Sequence, residues 1–116
     1  MSVDDPHALW AATTKQLREL PGVAASTMMG LPCLRLSGAF FAAWDRRTGD
    51  LLVKLPAPRV TALVDAGSAH PFAPAGRRFR EWAALAPADA AVWTDLIEEA
   101  LEHARRIGEG AETGGR

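Results

Sequence analysis

Cys33 and His70 are the one nucleophile–base combination in the chain, since Cys33 is its single cysteine. A thiolate activated by an imidazole would perform acyl-transfer chemistry, which needs the two groups in hydrogen-bond reach and a third group orienting the base. No local motif joins them, and a lone cysteine inside a strand reads first as a small packing residue. Metal chemistry has no better footing. His7, His70 and His103 fall one to a segment, without the i,i+4 or two-residue spacing of a ligand set. Gly30, Gly38 and Gly49 each sit at a turn, and none opens a helix after a strand as a phosphate cradle must. No catalytic residue, metal or cofactor is expected.

The run Arg77-Arg78-Phe79-Arg80-Glu81-Trp82 is different. Guanidinium forks suit phosphate or carboxylate, and the Trp82 indole next to them offers a surface for stacking. Arg35 and Lys54 would join the same face if the strand register permits, giving an anion- or partner-binding site of Arg35, Lys54, Arg77, Arg78, Arg80 and Trp82. A strand carrying arginines is also an ordinary protection against edge-to-edge association, so a merely solvated face is the competing reading.

Charge supports a localised site rather than a global one. Thirteen basic and fourteen acidic residues leave a formal charge of −1, too little to draw nucleic acid or an acidic membrane to the whole molecule. Residues 31–80 nevertheless hold eight basic and three acidic side chains, whereas 81–116 hold three and eight. The middle is positive and the final segment negative. Eleven arginines against two lysines, with no tyrosine, also suggest a GC-rich coding bias that inflates the arginine count.

The elements that must position these residues follow from periodicity. Asp5-Pro6 is a helix start, with Leu9, Thr13, Leu17 and Leu20 at helical spacing beside Trp10, and Pro21-Gly22 a stop. Val23–Met29 reads as a strand ending at a Gly30 turn. Leu31–Ser37, Ala39–Asp45 and Leu51–Leu55 then form an antiparallel meander about a Ser37-Gly38 turn and a 45–50 loop. Alternation sends Leu34, Leu36, Leu51, Val53 and Leu55 inward, leaving Cys33, Arg35, Leu52 and Lys54 outside, and makes Ala39–Trp44 a central strand. Pro58–Ala66 reads as a short helix closed by Gly67. A loop pinned by Phe72 follows, and then a strand over Gly76–Trp82 with Phe79 on one face and Arg78, Arg80 and Trp82 on the other. The longest helix starts at Pro87 or Asp89 and runs to Ile107, capped by Gly108, with an apolar stripe of Val92, Leu96, Ile97, Leu101, Ala104 and Ile107. Glu102 is placed to pair with Arg106. The expected fold is α+β: an antiparallel meander sheet with an N-terminal, a short middle and a long C-terminal helix packed on it. One domain spans 1–108, and 109–116 reads as a disordered tail.

Met28-Met29-Gly30, Gly38-Ala39-Phe40-Phe41-Ala42, Leu51-Leu52-Val53-Lys54 and Gly67 followed by Pro71-Phe72 resemble, over about residues 20–106, the N-terminal domain of the TfoX/Sxy competence regulators. The small YjbR-like domains share the arrangement. That resemblance implies an α+β domain with a transcription-linked, DNA-associated role and no catalytic residues. Met29 departs from the Phe of the family motif, and the chain ends after one such domain.

The functional expectation is therefore a non-enzymatic, cytoplasmic module, monomeric or homodimeric, that binds a protein or nucleic-acid partner through a basic sheet face and has no membrane association. The alternative is a small-molecule-binding or thiol-dependent enzymatic domain, using a cleft near Cys33 and His70 between the sheet and the Ala69–Ala75 loop.

Overall fold

The computed structural model describes residues 6–73, 76–86 and 90–114. Nine elements follow one another: α1 (Pro6–Leu17), β1 (Val23–Met28), β2 (Leu31–Leu36), β3 (Ala39–Trp44), β4 (Leu51–Lys54), α2 (Ala57–Asp65), β5 (His70–Phe72), β6 (Phe79–Leu85) and α3 (Ala90–Gly114). The α+β class and the antiparallel sheet with its three helices stand as the sequence indicates. Asp5, Pro87 and Asp89, read above as helix-starting residues, lie outside the described residues.

All six strands form one sheet in the order β1-β2-β3-β4-β6-β5, every pair antiparallel. The first four make the meander. Met29 and Gly30 turn the chain between β1 and β2, both at positive φ (53° and 78°), a conformation that glycine adopts freely and methionine does not. β3 pairs with β2 through a register shift between Leu34 and Arg35: Leu34 faces Ala42 while Arg35 faces Phe40, leaving Phe41 as the extra residue. This bulge lets Phe41 and Ala42 both reach the helical side while Phe40 goes to the other.

Two apolar clusters flank the sheet. The larger takes Leu34, Phe41, Leu51, Val53, Leu55 and Leu85 from the strands and closes them under Leu9 and Trp10 of α1, Val60 and Leu63 of α2, and Trp93, Ile97, Ala100 and Leu101 of α3. All three helices thus lie on one side. Burying a side chain of leucine or phenylalanine size contributes about 1.5–3 kcal/mol, so this layer dominates stability. The second cluster, Leu31, Cys33, Ala43, Leu52, Phe72 and Ala84, sits on the opposite face without a helix above it.

That second cluster corrects the reading of an apolar and a solvated face. Leu52 and Cys33, placed outside by alternation, are each 1% exposed. Met28, Phe40, Phe79 and Trp82 lie against them as a roof of strand side chains. Four more differences belong to the second half. Residues 70–72, read as loop, form edge strand β5. The last strand is Phe79–Leu85 rather than Gly76–Trp82, and Ala83, Ala84 and Leu85 are its buried centre. On α3 the buried residues include Trp93 and Ala100, whereas Val92 and Ile107 are 39% and 38% exposed. The helix also continues beyond Gly108 to Gly114, where a tail was expected. A glycine costs a helix only about 1 kcal/mol, which does not end one already nucleated and anchored over four turns.

Candidate functional site

Ladder register puts part of the anticipated basic set on the helix-free face. Arg35 follows Cys33 by two residues on β2, and its guanidinium lies 5.7 Å from the centre of the Phe40 ring across the β2–β3 pair. Arg77 lies 5.5 Å from the Phe79 ring, which in turn packs 5.6 Å from Phe72. Lys54 pairs in register with Trp82, and its ammonium is 3.9 Å from Glu81. The result is a face on which half-buried rings, Phe40, Phe79 and Trp82, are interleaved with cations.

Arg78 and Arg80 do not belong to it. The β5–β6 ladder runs from Pro71↔Ala83 to Phe72↔Phe79, so three residues of β6 bulge out between the two pairs. The bulge breaks strict alternation and turns both Phe79 and Trp82 toward the second cluster. Arg78 and Arg80 instead line a groove of about 670 Å³ beside α2, with Ala57, Pro58, Thr61 and Asp65. The six anticipated residues therefore divide: Arg35, Lys54, Arg77 and Trp82 share one face, and Arg78 and Arg80 another place. Phe40 and Phe79 are the members that the residue-level reading left as plain strand residues. The signal that could have found them is an aromatic residue two positions from an arginine along one segment, or five positions from it across a tight turn.

Arg35 is held in an unusual state. Its Nε is shielded from solvent and makes no hydrogen bond among the described residues.

The thiol and imidazole are not brought together. Cys33 is on β2 and His70 on β5, with β3, β4 and β6 between them, and Cys33 is buried while His70 is exposed and bound to Asp50. Burial raises the Cys33 pKa, and the nearby Arg35 charge and the Ser26 backbone N–H only partly offset it, so the thiol is poorly ionised. His70 Nε2 lies 2.9 Å from Asp50 Oδ2, tying the β5 edge to the start of β4. His7 lies against Trp44, and His103 is held under α3 with an unpartnered, shielded Nε2. No group of three His, Cys, Asp or Glu side chains is placed to hold a metal among the described residues.

One further feature escaped sequence reasoning. A groove of about 620 Å³ runs between α1 and the adjoining end of the sheet, lined by His7, Trp10, Lys15, Arg18, Trp44 and Arg46 among others. Arg46 is already engaged there, donating to the Gly30 carbonyl at 2.9 Å. No family model, curated protein or solved structure matches the chain. Among the described residues no helix is long and apolar enough to cross a membrane.

Proposed function

We propose that this protein is a non-catalytic binding module whose helix-free sheet face takes single-stranded nucleic acid. The carrying observation is that this face sets Phe40, Phe79 and Trp82 among Arg35, Lys54 and Arg77, with two of the guanidinium groups lying over rings. Every base has a π-face, so stacking on such rings is sequence-tolerant and contributes about 1–3 kcal/mol per base. The cations meet the phosphates, with the Arg35 and Arg77 guanidinium groups already set beside the stacking rings. An antiparallel sheet with no helix on one side among the described residues leaves these rings within reach of unstacked bases. A transcription-linked role, implied by the likeness to TfoX/Sxy N-terminal domains, would rest on this contact.

The test is a titration of a labelled single-stranded oligonucleotide at several salt concentrations. Binding should weaken with salt, and an R35A/K54A/R77A variant should flatten the log–log slope by about 2 units, at roughly 0.7 per lost phosphate contact. R78A/R80A, on the α2 side, should leave affinity within twofold. A parent protein that binds no oligonucleotide at low salt would sink the reading, as would a slope carried by Arg78 and Arg80.

A further inference from the structure

The two edges of the sheet are built differently. β5 is three residues long, contains Pro71 and carries a register shift, all of which discourage further pairing. β1 has none of these protections. Its sequence, Val-Ala-Ala-Ser-Thr-Met, holds no charge and no proline, and its six residues pair with β2 in unbroken register from Val23↔Leu36 to Met28↔Leu31. Ala24, Ala25 and Thr27 are exposed. Met29, at 59% the most exposed large apolar side chain among the described residues, adjoins the end of the strand.

The outward-facing backbone groups can be named. Ser37 N–H donates to the Gly22 carbonyl at 2.8 Å, and Val23 N–H donates to Leu20 rather than to Leu36. Alternation from that point directs the N–H and C=O of Ala24, Ser26 and Met28 toward β2, and those of Ala25 and Thr27 away from the sheet. No backbone partner for the Ala25 and Thr27 groups occurs among the described residues.

We infer that β1 pairs antiparallel with β1 of a second copy, about a two-fold axis at Ser26. This register sets Ala25 opposite Thr27 of the second copy, and Thr27 opposite its Ala25. All four outward N–H groups then find carbonyls. It also brings Met29 across from Val23 of the second copy, covering the exposed thioether. The second copy is favoured over a foreign strand because the edge is self-complementary: it is uncharged, so no like charges meet at the axis, and small side chains allow close approach. Two sheets become one of twelve strands, with both open faces extended. The side-chain area is small, so the dimer is weak and concentration-dependent.

Light scattering and sedimentation over a concentration series test this. The parent should move from its 12.4 kDa monomer mass toward twice that value, and an A25K/T27K variant should stay monomeric with an unchanged circular-dichroism spectrum. Thr27→Pro removes an outward N–H without touching the β1–β2 ladder, and gives an independent loss of dimer should the lysine variant misfold. In a C33A background, Ser26→Cys should oxidise to a covalent dimer, because facing residues of a non-hydrogen-bonded antiparallel pair lie at disulfide distance, about 4.5 Å between Cα atoms. A parent that remains monomeric up to millimolar concentration overturns the inference. So does a dimer that survives A25K/T27K, which would place the second copy elsewhere, or one that S26C fails to trap. None of these readouts depends on whether nucleic acid binds.

Discussion

His103 illustrates how a single side chain records its surroundings. It faces the α3–sheet interface, where burial is the main cause that lowers its pKa from the ordinary 6.5; Glu81 opposes the shift, and Lys54 and Arg106 add to it. The folded protein therefore resists protonation at this site more than the unfolded chain does. Between the lowered folded value and 6.5 the unfolded state binds more protons, so stability rises with pH through that window and falls as the solution is acidified below 6.5. Urea unfolding at a series of pH values should show this loss, and His103→Phe should flatten the profile; a profile unchanged by the substitution would remove the histidine as its source. Residue types were the most legible level in the sequence for charge and least for contact. Arg35, Lys54 and Trp82 were recognisable as a potential set, whereas Cys33 and His70 paired only on paper, because nothing in a linear chain reveals that three strands come between them. Glu102 pairs with Arg105 at 3.2 Å rather than with Arg106, a choice between neighbouring rotamers that spacing alone does not make.

At the scale of elements, local patterning was sufficient wherever the chain obeys it. The meander, the Gly30 and Gly67 turns and the inward residues of β4 are direct consequences of alternation and turn chemistry. The failures fall where a bulge or a second covering layer intervenes. Phe41 and Ala42 face the same way because one residue is extra, and Phe79 and Trp82 share a face although three positions apart. Leu52 looked solvated because alternation assigns one apolar face per strand, yet β4 is apolar on both. Leu52→Ala discriminates these views: in a second cluster it should destabilise by about 2–4 kcal/mol in denaturant unfolding, and on a wet face by only a few tenths. A cost under 0.5 kcal/mol would mean that the aromatic roof does not exclude water.

Across the molecule, the arrangement of the described residues is asymmetric: three helices on one side of the sheet, and on the other its own side chains. This asymmetry lets a chain of net charge −1 present cations locally, since the acidic residues of α3 are carried on the helical side. Arg59 of α2 bridges to Glu99 of α3 at 2.7 Å and 3.1 Å, joining the two helices over the sheet. Both side chains are partly exposed, so this pair contributes no more than about 1 kcal/mol. The segregation of helices was legible only in outline, because the sequence names the apolar stripes but not which side of a sheet each will meet.

The way β3 and β4 are enclosed, against the lighter anchoring of α1, has a kinetic corollary. Ala42, Ala43, Leu51, Leu52 and Val53 lose all but a trace of solvent contact from above and below, while α1 holds on through Leu9 and Trp10, with Leu17 and, just past its end, Leu20 only partly covered. Deuterium uptake should be graded accordingly: amides of α1 label through a sub-global opening, well before those of the two central strands, which exchange only when the entire molecule comes apart. A first helix that labels as slowly as the central strands would show that it is bound far more tightly than those four side chains account for.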